Sequence, residues 1–164
     1  MIASSAVDKE RVLGADWKDE KEFITVGLKH VKLWTLNGRN LTAQKGVFGS
    51  TPIDSHLVVC YAFGKKVCIS GDARGNLVTW SGRSATKSIK AHNGAIWALH
   101  TKKDKLFSGG LDGFIKVYNS KMEETENIDI SKLTSFGPGV RSIDTNSKGV
   151  LLIGTKGGDV IYTY

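Results

Sequence analysis

Residues 70–80 read SGDARGNLVTW, and residues 108–118 read SGGLDGFIKVY. Shifting the chain by 38 residues lays Leu57–Trp80 over Ala95–Tyr118 without a gap, placing Ser70-Gly71 on Ser108-Gly109 and Gly75 on Gly113. A further shift of 45 carries Gly109 to Gly154, Gly113 to Gly158 and the pair Ile115/Val117 to Val160/Tyr162. Upstream, FITVGLKHVKLW (Phe23–Trp34) writes the same hairpin with a turn two residues shorter. Such self-similarity constrains a chain strongly, because each unit must bury the same face against its neighbour. The equivalent slots Trp34, Trp80, Tyr118 and Thr163 lie 46, 38 and 45 residues apart. That period belongs to a propeller blade of four antiparallel strands.

Strand patterning agrees with the repeat. Residues 95–100 alternate as AIWALH, residues 105–108 are short and apolar, and residues 114–118 alternate again. A more polar fourth stretch follows in each unit, at residues 41–48, 86–90 and about 126–130, as suits an outer strand with one edge in water. Only KMEETEN (121–127) has helical character, and it is too short to hold a helix alone. The fold class expected is all-β, a propeller of about four four-stranded blades. Their limits are about 12–50, 51–91, 92–135 and 136–164, with 1–11 as an N-terminal extension. The last unit has only three strand patterns, and an open stack exposes its end faces. The expectation is therefore a part of a larger propeller, with self-assembly as the alternative way to cover those faces.

The 19 glycines among 164 residues match the many tight turns. No apolar run reaches the length of a membrane span, and the first residues lack a secretory core, so no membrane role and a cytoplasmic setting are expected. Two cysteines, Cys60 and Cys68, are too few for a disulfide framework and read as reduced core residues. The net charge of +7 favours acidic partners, although the lysines are scattered, as on solvated strand faces.

His92, Ser108, Asp112 and Tyr118 form the most suggestive constellation. Serine, histidine and aspartate invite a triad reading, in which histidine takes the serine proton and the acid orients it. The structural reading is a hydrogen-bonded network inside one blade, with Ser70 and Trp80 in the same slots of the preceding unit. A hydrolase needs an exposed, strained nucleophile and an oxyanion hole, whereas Ser108 lies inside a strand repeat. The ungapped alignment also puts Asp54 over His92 and Arg74 over Asp112, so Ser70 and Trp80 read as recurring without a histidine. The remaining histidines show no metal-ligand spacing, and the glycine turns lack the context of a phosphate loop. No catalytic residue, metal, cofactor or small-molecule substrate is assigned.

The histidine, serine-glycine, turn aspartate and terminal aromatic resemble the WD-repeat family. AHNGAIWALHTKKDKLFSGGLDGFIKVY and, more closely, DWKDEKEFITVGLKHVKLWTLNGRNLTAQKGVFGS resemble the echinoderm microtubule-associated protein-like family over about residues 12–164. The resemblance implies a segment of an atypical propeller in a cytoplasmic, cytoskeletal protein that binds protein partners, tubulin or microtubules among them. The family's hydrophobic bridging motif and N-terminal coiled coil are not seen in these residues. Function is read as a non-enzymatic interaction scaffold. The alternative is a WD-repeat adaptor for another protein or ribonucleoprotein complex, with nucleic acid ranked below protein. Candidate contacts, chosen because they flank the repeated turns, are Lys29, His30, Arg74, Asn76 and Phe114.

Overall fold

A computed structural model describes residues 3–5 and 11–163; most of the N-terminal extension, like Tyr164, lies outside the described residues. Its strands form four antiparallel sheets, each a meander of consecutive strands. The first sheet is β1 (Val12–Trp17), β2 (Glu22–Gly27), β3 (His30–Asn37) and β4 (Asn40–Lys45). The second is β5 (His56–Ala62), β6 (Val67–Asp72), β7 (Asn76–Ser81) and β8 (Ser84–Lys90). The third is β9 (Ile96–Lys102), β10 (Lys105–Gly110), β11 (Phe114–Tyr118) and β12 (Glu124–Asp129). The fourth has three strands, β13 (Val140–Thr145), β14 (Leu151–Thr155) and β15 (Val160–Thr163). The all-β blade architecture expected from the repeat is the one observed. KMEETEN is a turn followed by the start of β12, because its residues pair with β11 as an exposed outer strand.

The sheets stack face to face, first on second, second on third and third on fourth, with the first strands making most of the contact. Among the described residues no comparable contact joins the fourth sheet to the first. Three apolar clusters fill the junctions. Ile24, Val26, Val59 and Val78 pack between the first two sheets. Ile69, Leu77, Ile96 and Leu106 pack between the second and third, and Phe107, Ile115, Val140 and Ile153 between the third and fourth.

In the second and third sheets the period-2 alternation of the inner strands serves two junctions at once, so β6 and β10 are buried on both faces. Cys60 and Cys68 are free thiols inside these junctions, and burial pushes the Cys60 thiol up to about 12 and raises Cys68 as well. Neither is poised as a nucleophile.

Two glycines set how closely the sheets approach. A Cβ on Gly71 would come within 2.6 Å of the Ile96 side chain, and one on Gly109 within 2.3 Å of Val140. At both junctions a β-branched residue opening one blade seats in a glycine notch of the blade before it.

Candidate interaction rims and the polar hubs beneath them

Each of the first three blades carries a buried polar hub built on a hydroxyl in its second strand. In the third blade Ser108 Oγ lies 2.8 Å from His92 Nε2, and His92 Nδ1 lies 3.0 Å from Asp112 Oδ1. Asp112 also accepts from the backbone amides of Asn93, at 2.8 Å, and Phe114, at 3.2 Å. The buried Tyr118 lies beside the same serine. Burial drives the His92 pKa below its ordinary value against the pull of Asp112, so the ring is neutral at pH 7. Nδ1–H then donates to Asp112, and Nε2 accepts from the Ser108 hydroxyl. The hub thus ties the loop before β9 to the turn before β11.

Gly110 makes room for this arrangement. A Cβ there would sit 2.4 Å from both Asp112 Oδ1 and His92 Nδ1.

This is the bonding order of a Ser-His-Asp triad, yet Ser108 is 0% exposed. No substrate carbonyl can reach its oxygen without the third blade separating from the second. The hydroxyl is sealed between a histidine and a tyrosine in the junction core, which is a structural arrangement.

The second blade corrects the sequence alignment. Ser70 Oγ lies 2.8 Å from His56 Nδ1 and accepts from Trp80 Nε1 at 2.8 Å. The histidine of this hub is His56, and Asp54 is not its counterpart. His56 opens β5, so its ring enters from the first strand itself, whereas His92 enters from the loop before β9. Asp54 instead pairs with Arg74, and Asp72 holds its own turn through the amides of Arg74 and Asn76 and the Asn76 side chain.

In the first blade the histidine arrives from a third direction. Trp34 Nε1 donates to Thr25 Oγ1 at 2.9 Å, and His30 Nε2 meets the same oxygen at 2.9 Å from the start of β3. His30 is 2% exposed, so it is a hub residue and offers no loop surface to a partner. The histidines of the first two hubs lie outside the ungapped register that puts Asp54 over His92. The signal available was a histidine within five residues of Thr25 and another at the head of β5. The fourth blade has Ile153 in the hydroxyl slot, and Thr155 and Asp159 lock its turn instead.

Strand alternation sorts the connections into two rims. Lys29, Arg74, Asn76 and Phe114 all lie on the rim made by the second-to-third-strand turns and the loops between sheets. Arg74 and Asn76 are engaged with Asp54 and Asp72 there. The opposite rim gathers the first-to-second and third-to-fourth-strand turns. Its connecting residues include Lys18, Lys21, Arg39, Lys65 and Lys66 from the first two blades. Arg83, Lys103, Lys121 and Lys148 complete nine basic positions against the four acidic ones Asp19, Glu20, Asp104 and Glu123. The connections of the other rim carry four basic residues (Lys29, Arg74, Lys132, Lys156) against Asp54, Asp112 and Asp159. Two grooves open on the basic rim. One of about 420 Å³ is lined by Lys66, Lys87, Tyr61 and Trp80, and one of about 360 Å³ by Lys102, Lys103, Phe107 and Lys148. No group of three or more metal-ligating side chains occurs among the described residues.

No protein-family model matches the chain. Curated relatives do. Echinoderm microtubule-associated protein-like 2 of Rattus norvegicus is 28% identical over 98% of this chain. Echinoderm microtubule-associated protein-like 1 of Mus musculus is 29% identical over 94%, and echinoderm microtubule-associated protein-like 4 of Homo sapiens 26% over 84%. The chain is thus similar to the echinoderm microtubule-associated protein-like family over 84% to 98% of its length. It spans 25%, 19% and 15% of the lengths of those three relatives.

Solved structures agree on the fold. The computationally designed Ika4 protein matches with a TM-score of 0.77 at 18% identity, covering 100% of this chain and 97% of that one. The RRP9 WD40 repeats match with a TM-score of 0.73 at 13% identity, covering 96% of this chain and 52% of that one.

Proposed function

We propose that this chain is a non-enzymatic docking scaffold of the microtubule cytoskeleton, and that its basic rim meets the partner. The observation that carries the reading is the pairing of a microtubule-associated family with one rim of nine basic and four acidic turn residues. A rigid frame of stacked sheets presents loops, and binding resides in such loops. The sealed Ser108 removes the main reason to seek catalysis, since its oxygen serves the junction. A field from clustered lysines draws an acidic surface and weakens as salt screens it. Among the described residues no helix is long and apolar enough to cross a membrane.

Co-sedimentation with microtubules over a salt series tests the reading. Binding at low salt that falls as salt rises is the expected outcome. Lys66→Glu, Lys103→Glu and Lys148→Glu together should abolish it, while Lys29→Glu with Lys156→Glu should leave most of it. Absence of pelleting at low salt by the wild-type chain counts against a microtubule role for this piece. Retention of RNA without pelleting would favour the ribonucleoprotein adaptor.

A further inference from the structure

The larger groove on the basic rim holds a charge imbalance that the fold does not use. It lies over the first three blades, at junctions whose two partners are both on the chain. Lys18 and Leu33 reach it from the first blade, Tyr61, Val67 and Trp80 from the second, and Met122 from the third. Lys18, Lys65, Lys66 and Lys87 line it, and no carboxylate does among the described residues. Lys18 pairs with Glu22, and Lys65 lies 3.1 Å from Asp16 Oδ2, so two of these charges are already met. Lys66 and Lys87 are exposed, and no acidic residue lines the groove opposite them.

The groove is also long. A neighbouring groove of about 210 Å³ shares Lys18, Leu33, Tyr61 and Gly82 with it and continues past Phe23 and Gln44. Arg83 adds a cation to that arm, where the lining acid, Glu22, is held by Lys18. Together they form a trough across the first two blades. Its lysines are exposed, while Leu33 and Val67 are half-buried and Tyr61 is buried beneath them. The hydroxyls of Thr79 and Thr86, 3.0 Å apart, line the same trough. Cations above an apolar floor suit a linear chain with acid groups on either side of one large apolar side chain. Nucleic acid fits less well, because single strands bind to ring faces open for stacking. The Tyr61 and Trp80 rings are only 6% and 4% exposed, and the Lys65 ammonium stands 5.9 Å over Tyr61.

We propose that this trough recognises an extended acidic peptide segment of the partner, anchored by one bulky apolar side chain over Leu33, Tyr61 and Val67. The proposal rests on the docking reading of the basic rim and narrows it to one groove and one shape of ligand. Lys66 and Lys87 take carboxylates at the groove mouth, and the apolar side chain sits below them against the half-buried residues. The groove at Lys103 and Lys148 contributes field and not fit, since Asp104 lies among its lysines.

Fluorescence anisotropy of a labelled glutamate-rich peptide with a central leucine, titrated with the full chain, tests it. Saturable binding at low salt is expected, with a single peptide per chain. Lys66→Glu with Lys87→Glu should weaken it about tenfold or more, and Lys103→Glu with Lys148→Glu by less than about threefold. Replacing the peptide's leucine by alanine should weaken it about tenfold, as expected for a side chain buried on binding. All four substituted lysines are exposed, so circular dichroism should not change. Absence of saturable binding, equal losses from the two pairs of substitutions, or indifference to the leucine overturns the proposal. Equal displacement of the peptide by single-stranded RNA also overturns it. Microtubule pelleting by a chain that takes up no peptide would leave the rim reading standing without this site. Peptide binding lost on Lys66→Glu with Lys87→Glu, in a chain that does not pellet, would keep the site and remove the microtubule reading.

Discussion

The third blade holds Ser108 where the fourth holds Ile153, and Gly110 where the fourth holds Thr155. Both blades form the same hairpins in the same register, so the polar hub is not what makes a blade. What the hub adds is a tie between a loop and a turn through a buried ring, covered on both sides. In the fourth blade the equivalent tie runs through Asp159, which accepts from Thr155 and the Ser135 amide near the surface. Ile153 is itself sealed against the third blade, so a covered slot accepts either a satisfied polar hub or an apolar side chain.

The largest predicted difference comes from Gly110. Gly110→Ala drives a methyl group into His92 and Asp112 and should cost about 3 kcal/mol or more by chemical denaturation. Thr155→Ala in the fourth blade should cost about 1 kcal/mol, since it removes one partly buried hydrogen bond. Equal costs would break the comparison. Next, Ser108→Ala strands the His92 ring nitrogen in the junction and should cost about 2 kcal/mol. Ile153→Val, a methylene lost from the fourth-blade slot, should cost about 1 kcal/mol.

Acid should act on the hub blades first. Burial holds the His56 and His92 pKa values below the ordinary histidine value of 6.5, so the unfolded chain binds those protons more tightly than the folded one. Their contribution is complete above that value and is lost as the pH falls through it towards the lower folded-state values. Amide exchange, corrected for intrinsic rates, should therefore rise more in β6 and β10 than in β14 between about pH 7 and pH 5. A uniform rise would contradict the assignment. The smallest effect concerns the thiols, where Cys60 and Cys68 should stay unmodified by iodoacetamide in the native protein and react on unfolding.

The repeat period made the sheets, their order and the third hub legible, because glycine notches and turn residues recur at fixed offsets. The hub histidines of the first two blades were hidden for a physical reason. A side chain can enter one buried spot from a loop, from the head of the first strand or from the following hairpin, and a fixed repeat offset follows only one of these routes. Residues flanking the turns were easy to nominate from sequence, but His30 is folded inward and Arg74 is paired, and the basic bias emerges only when alternate turns are gathered onto one rim.

The central claim is that the Ser108–His92–Asp112 geometry holds a shape and performs no chemistry. Treating the folded wild-type chain with a fluorophosphonate and mapping modified residues by mass spectrometry tests it most directly. The account predicts no adduct on Ser108, because its oxygen is fully buried between His92 and Tyr118. Stoichiometric labelling of Ser108 in the native protein, lost on His92→Ala, would contradict it.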